Sequence, residues 1–146
     1  MSHLLDANAL IALAWPAHEH HAIMLRWFER HAASGWSTNA LTQGAFVRVV
    51  SQPAFAGRSL AIAEVAESLL RNVAHAKHRF LALDFGFEEV LGICSGGILG
   101  HRQITDAWLL ACAVRHQAKL VTFDAGIEQL LAKPAERQKH IALLKG

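Results

Sequence analysis

Three aspartates carry the clearest chemical potential in the chain, and each stands at the boundary of an apolar run. Asp6 follows Leu4-Leu5, and Asp124 follows Leu120-Val121-Thr122-Phe123. Asp106 comes just after Ile104, where a long apolar stretch begins. Gathered in one place, three such charges repel one another. The usual remedy is a hard cation such as Mg²⁺ or Mn²⁺, held through oxygen with several waters retained. Such an ion activates water and neutralises a phosphoryl oxygen, which is the chemistry of phosphodiester hydrolysis. Each acid also has a local use. Asp6 can cap a helix, Asp106 can be a first-turn acid favoured by the helix dipole, and Asp124 can open a turn before Gly126. The fold decides between the two readings, by bringing the three acids together or keeping them apart.

The elements that must position them follow from apolar periodicity. Leu4-Leu5 and Leu120 to Phe123 read as short strands, with Trp36-Ser37-Thr38, Phe80 to Leu83 and Ile141 to Leu144 as further candidates. Leu10, Leu13 and Ala14 predict one helix, and Met24, Trp27 and Phe28 another beyond a break at Pro16. Phe46, Val49 and Val50 mark a helix ending before Pro53, and residues 53–58 read as a loop. Ser59 is the expected N-cap of an amphipathic helix whose stripe runs through Ile62, Val65, Leu69 and Val73. Residues 86–94 predict a short helix, Gly96 to Gly100 a loop, residues 104–116 a buried helix, and a short helix follows Gly126.

Strands with continuous apolar runs, separated by helices, predict an α/β fold of three layers with a central parallel sheet. In such a sheet functional groups collect at the carboxyl ends of the strands. Asp6 and Asp124 end strands. Asp106 opens a helix that runs back antiparallel to them. Topology alone therefore brings all three acids to one edge.

The 146 residues are 53% apolar and 18% charged, which supports a buried core and argues against disorder or a disulfide scaffold. No repeat, low-complexity tract or linker divides them, so a single domain over residues 1–146 is expected. A formal net charge of +2 permits a nucleic-acid partner without demanding one. Cys94 and Cys112 lie in no zinc or redox spacing and read as small buried hydrophobes of a reducing compartment. No apolar run approaches the roughly 20 residues of a membrane helix, and no basic-then-apolar leader opens the chain. A cytoplasmic protein without membrane attachment is expected.

Three blocks then carry a resemblance: Leu4-Leu5-Asp6-Ala7-Asn8-Ala9-Leu10-Ile11-Ala12-Leu13, Gly100-His101-Arg102-Gln103-Ile104-Thr105-Asp106-Ala107 and Val121-Thr122-Phe123-Asp124. In this order they resemble PIN-domain proteins, and among them the VapC-like ribonuclease toxins of bacterial toxin–antitoxin pairs. Thr42-Gln43-Gly44-Ala45-Phe46-Val47-Arg48-Val49-Val50 resembles the block those toxins carry after the second strand. The resemblance implies an endoribonuclease dependent on Mg²⁺ or Mn²⁺, often dimeric and restrained by a small antitoxin protein. It implies that Asp6, Asp106 and Asp124 are the metal ligands and catalytic acids, with Asn8 and Thr122 as polar support. RNA enters as the substrate class the family implies, and Arg102, His101 and Arg48 are candidate contacts to its backbone.

One position departs from the pattern. Many relatives place an acid directly after the block's threonine, where this chain has Gln43. Gln43 opens the helix after Trp36-Ser37-Thr38, so the same topology aims it at the acidic edge as a site-support residue that brings no charge. Glu64 and Asp84 are the next acids that could make up the difference.

Other signals carry less. His18-Glu19-His20-His21 reads as a solvated helix surface, since only His18 and His21 share a face. The glycines from Gly96 to Gly100 match neither a dinucleotide fingerprint nor a P-loop. The tryptophans fall in apolar stripes, which favours core or subunit interface over base stacking. The early helices and the stripe from Ile62 to Val73 offer more apolar surface than a small sheet covers, so a homodimer and an antitoxin-binding face are expected. Two other functions compete. A haloacid-dehalogenase-like phosphatase also begins with a strand ending in Asp, yet its chemistry wants a second acid where Asn8 stands. A degenerate PIN domain would bind RNA or an antitoxin without cutting, and Gln43 is its best support.

Overall fold

A computed structural model describes all residues, 1–146. Its centre is one five-stranded sheet of β1 (Ser2–Leu5), β2 (Trp36–Thr38), β3 (His78–Phe80), β4 (Ala118–Thr122) and β5 (Ile141–Leu143). The spatial order is β3-β2-β1-β4-β5, and every neighbouring pair is parallel. Eight α-helices surround it: α1 (Ala7–Ala14), α2 (His21–His31), α3 (Ala40–Val50), α4 (Pro53–Ala56), α5 (Ile62–Val73), α6 (Phe87–Ile93), α7 (Ile104–Arg115) and α8 (Pro134–His140). Short 3₁₀ turns at Ala32–Ser34, His101–Gln103 and Ala125–Leu130 complete the chain. None of the helices is long and apolar enough to cross a membrane.

The strands alternate between two cores. Leu4 and Leu120 pack with Val90 of α6 and Leu109, Leu110 and Ala113 of α7. Leu5 and Val121 point the other way, into Leu10 of α1, Met24 of α2, Phe46 of α3 and Val65 of α5. Successive side chains on a strand face opposite sides, so a strand buried on both faces must be apolar at every position. The continuous runs have this origin, and three layers result.

Several boundaries differ from the sequence reading. Residues 53–58 are not all loop, because Pro53 is preset for a first helical position and nucleates the single turn α4. That turn stops at Gly57, whose φ of +75° suits glycine. Ser59 is not a cap; α5 begins at Ile62 after Ala61, without a side-chain cap bond. The third strand lies at residues 78–80 rather than 80–83. Its pairing ends with the bond from Leu81 N to Thr38 O, beyond which Leu81 and Leu83 turn into the α7-side core. The fourth strand starts two residues earlier than the apolar run, at Ala118. Helix α8 was not expected, because its seven residues bury only His140 and leave no apolar stripe.

Candidate acidic site at the carboxyl edge of the sheet

Strand alternation explains why the acids converge. Leu4 faces α7, Leu5 faces α1, and the next residue, Asp6, turns back toward the α7 side. Thr122 follows the same rule from Leu120 on β4. The backbone bond from Asp6 N to Val121 O (2.9 Å) holds the two chain ends side by side. Asp106 lies in the first turn of α7, above the same edge.

A hydrogen-bond network fixes the first acid. Asp6 is buried, and its Oδ1 caps α1 by accepting from Ala7 N at 2.7 Å. Its Oδ2 accepts from Thr122 Oγ1 at 2.7 Å and from Asn8 Nδ2 at 3.3 Å. Thr122 Oγ1 in turn accepts from Asp124 N at 3.0 Å and Asn8 Nδ2 at 3.3 Å, while Asn8 Oδ1 accepts from Phe123 N at 3.2 Å. Asn8 and Thr122 are thus the struts between the two acid-bearing strand ends. Asp124 is exposed, and its Oδ1 accepts from Gly126 N at 2.9 Å. It serves the local turn without being consumed by it.

The electrostatics show uncompensated negative charge. Burial pushes the Asp106 carboxyl up to about 6, with the charges of Asp6 and Asp124 adding to the effect. Asp6 is also raised, by burial first and by Asp124; the bonds from Thr122 and Ala7 N oppose that rise. No cation of the protein answers these three groups: the ion pairs of Arg115, Arg71 and the histidines all lie with other acids. No three His, Cys, Asp or Glu side chains close into a metal cage. Zinc requires such a closed set. The three aspartates do not close a cage either, but Mg²⁺ or Mn²⁺ keeps several of its waters, so carboxylates can hold it directly or through those waters, and this open group of repelling acids fits such an ion better.

The remaining predicted residues divide. His101 and Arg102 are exposed on the 3₁₀ turn that leads into α7, next to Asp106. Arg48 is exposed in the last turn of α3, about 12 Å along the helix from its start at the edge. Gln43 is in the first turn of α3, yet its amide does not join the aspartates. Its Nε2 donates to Thr38 Oγ1 at 3.0 Å, and that oxygen is 2.8 Å from His78 Nε2. Neither spare acid takes its place. Asp84 lies 3.9 Å from Arg115 at the far end of α7, and Glu64 lines a groove with Trp15 at the far end of α1. The histidine run is not a helix face: His18 and His20 precede α2, and His20 stacks on Phe123 with ring centroids 4.9 Å apart.

Sequence reasoning missed Thr38 and His78. Their contact spans 40 positions and depends on the register that sets Trp36 opposite His78. No local pattern announces it.

A family model described as PIN domain matches residues 3–132. The chain is 44% identical over 125 residues to Ribonuclease VapC38 of Mycobacterium tuberculosis (strain ATCC 25618 / H37Rv), covering 85% of this chain and 86% of that protein. It is 35% identical over 144 residues to Ribonuclease VapC44 of the same strain, covering 99% of this chain and all of that one (100%). Among solved structures, VapBC2 from Rickettsia felis bound to a DNA fragment from their promoter superposes with a TM-score of 0.63 at 13% identity, over 98% of both chains. FitAB bound to an IR36 DNA fragment also gives 0.63, at 11% identity, over 97% of this chain and 94% of that one. At such low identity the two structures speak to the fold.

Proposed function

The chain belongs to the PIN-domain family, and from that premise we propose that it is a divalent-metal-dependent endoribonuclease, the toxin of a toxin–antitoxin pair. It acts as one domain in the cytoplasm, as a homodimer, on RNA, under restraint by a small antitoxin protein. Family membership displaces the phosphatase reading. The relatives' name, Ribonuclease, supports the reaction class. The observation that supports the metal dependence is the grouping of Asp6, Asp106 and Asp124 at one edge with no ion pair to a protein cation; burial first, and then the charges of Asp6 and Asp124, raise Asp106 to about 6.

Asp6, Asp106 and Asp124 would hold Mg²⁺ or Mn²⁺, which supplies an activated water and offsets charge on the phosphoryl oxygens. The chain's own residues do the rest. Thr122 and Asn8 lock Asp6 in one orientation, so that no reorganisation is needed when substrate arrives. Asp106 loses its proton above about pH 6 and so takes its charged form at neutral pH. Arg102 and His101, exposed on the turn that leads into α7, would hold a phosphate of the strand.

The test is cleavage of single-stranded RNA by purified protein with Mg²⁺, Mn²⁺ or EDTA, for wild type and Asp106→Asn. Cleavage is expected only for wild type with metal. Equal cleavage in EDTA, or by the variant, overturns the proposal. One observation favours a second reading, binding without cutting: the amide nitrogen of Gln43 is engaged by Thr38 and brings no fourth charge to the edge. Tight RNA binding with no cleavage in either metal would select it.

A further inference from the structure

Thr38, Gln43 and Phe80 lie at the same carboxyl edge on the opposite face of the sheet from Thr122, and His78 reaches Thr38 from the first position of β3. Thr38 is fully buried at the end of β2 and lies opposite Phe80 in the register of β2 and β3. Alternation along β3 puts Phe80 on the same face as His78, whose ring meets Trp36 at 4.7 Å. Phe80 is nevertheless 57% exposed, on the edge strand of the sheet. Gln43 reaches this face from α3 through its bond to Thr38.

With Nε2 of His78 as an acceptor, the Gln43 amide has one orientation that satisfies Thr38. Burial, and next the charge of His75, hold the His78 imidazole below the usual histidine range, so it is neutral at neutral pH. A neutral ring nitrogen can accept from the Thr38 hydroxyl, which then accepts from Gln43 Nε2. All three groups are satisfied in one chain of bonds. That chain turns the carbonyl Oε1 of Gln43 away from Thr38, and no intramolecular hydrogen bond uses it.

We infer that Phe80 and Gln43 form a subsite for one unpaired base of the RNA substrate, with Thr38 and His78 as positioning residues. An exposed ring offers a stacking face, and a fixed acceptor beside it suits a base edge that carries an amino donor. Position agrees with this role. Pairing continues from Leu4 opposite Ser37, so Thr38 is beside Leu5, and Phe80 lies two strand spacings, about 10 Å, from the strand that ends at Asp6. A base there would belong to a nucleotide near the phosphate held at the acids. Adenine, cytosine and guanine offer that acceptor an exocyclic amino group, whereas uracil offers only its ring N3–H, flanked by two carbonyl oxygens that a further acceptor repels.

This inference rests on the ribonuclease reading, and the experiment separates the two. Fluorescence anisotropy with labelled A₈, C₈ and U₈ RNA in EDTA measures binding without cleavage, and steady-state cleavage with Mn²⁺ gives kcat and KM. Phe80→Ala is expected to weaken A₈ and C₈ binding about tenfold, within the range of a lost stack, and to raise KM at unchanged kcat. Phe80→Trp should restore both. Gln43→Leu and Thr38→Val should erase the preference for A₈ and C₈ over U₈, while Thr38→Ser keeps it. Phe80→Ala that binds and cuts like wild type overturns the subsite and leaves the nuclease standing. Unchanged RNA binding with a shift to a smaller species in light scattering also overturns it, because Phe80 would then serve a protein contact. Wild type that neither binds nor cuts RNA removes both inferences.

Discussion

Asp106 combines a site role with a cost to the fold. Its carboxyl is raised from the ordinary 3.8 to about 6, chiefly by burial and then by Asp6 and Asp124. A raised carboxylate favours the folded state most when protonated, below about pH 3.8, and that advantage is lost as the pH rises through about 6. Above it, the ionised group destabilises the metal-free protein by about 1 kcal/mol, once solvent screening of a half-exposed side chain is allowed for. Asp106→Asn should therefore raise Tm by a few degrees at pH 7.5 in EDTA and by nothing at pH 3.5, as read by circular dichroism. An equal gain at both pH values would show that the charge is not its source. Asp6 differs, because Thr122, Asn8 and Ala7 N stabilise its ionised form and oppose the effect of burial. Two acids of one site thus meet unlike surroundings, and the sequence distinguishes them only as residues that follow different runs.

Local chemistry at the element ends explains why the edge is stable enough to gather charge. Helix α1 starts on the Asp6 side chain itself, so one carboxylate serves both as cap and as member of the acidic group. Helix α3 starts with a capping box, in which Asn39 Oδ1 accepts from Thr42 N and Thr42 Oγ1 accepts from Asn39 N. Both residues are fully buried. Asn39→Ala should cost about 1 kcal/mol of unfolding free energy in urea, since the Thr42 N–H loses its partner while the Asn39 N–H keeps Thr42 Oγ1. A change below about 0.3 kcal/mol would mean that the helix start is held by packing alone. Gly96 makes the other close approach: a Cβ there would collide with the carbonyl of Gln129, so the loop before α7 can lie against the segment after β4 only with glycine. The capping residues are visible in the sequence as Asn-x-x-Thr, but this contact is not, because its partner comes 33 positions later in the chain.

The whole molecule leaves apolar groups uncovered, notably Ile62 at 60% and Leu70 at 61% exposure on α5. We expect them to be buried between two copies of the chain, in line with the proposed homodimer. Light scattering at micromolar concentration should give twice the chain mass for wild type and a monomer for the Ile62→Asp, Leu70→Asp pair. A monomeric wild type would overturn this. The three-layer architecture was legible because a strand buried on both faces has to be apolar at each position, and a run such as Leu120-Val121 records that directly. The acids were legible because a parallel sheet sends strand ends and returning helix starts to one edge whatever the details of packing. The partners of Gln43 were not. Its place in the first turn of α3 follows from the sequence, but the choice between the aspartates and Thr38 rests on which face β2 turns at its end and on the register of β3. Both are set by pairings between segments some 40 residues apart, as in Thr38 with His78. Local periodicity carries the direction of each run and the positions of its ends; only the tertiary pairing decides which side chains meet there.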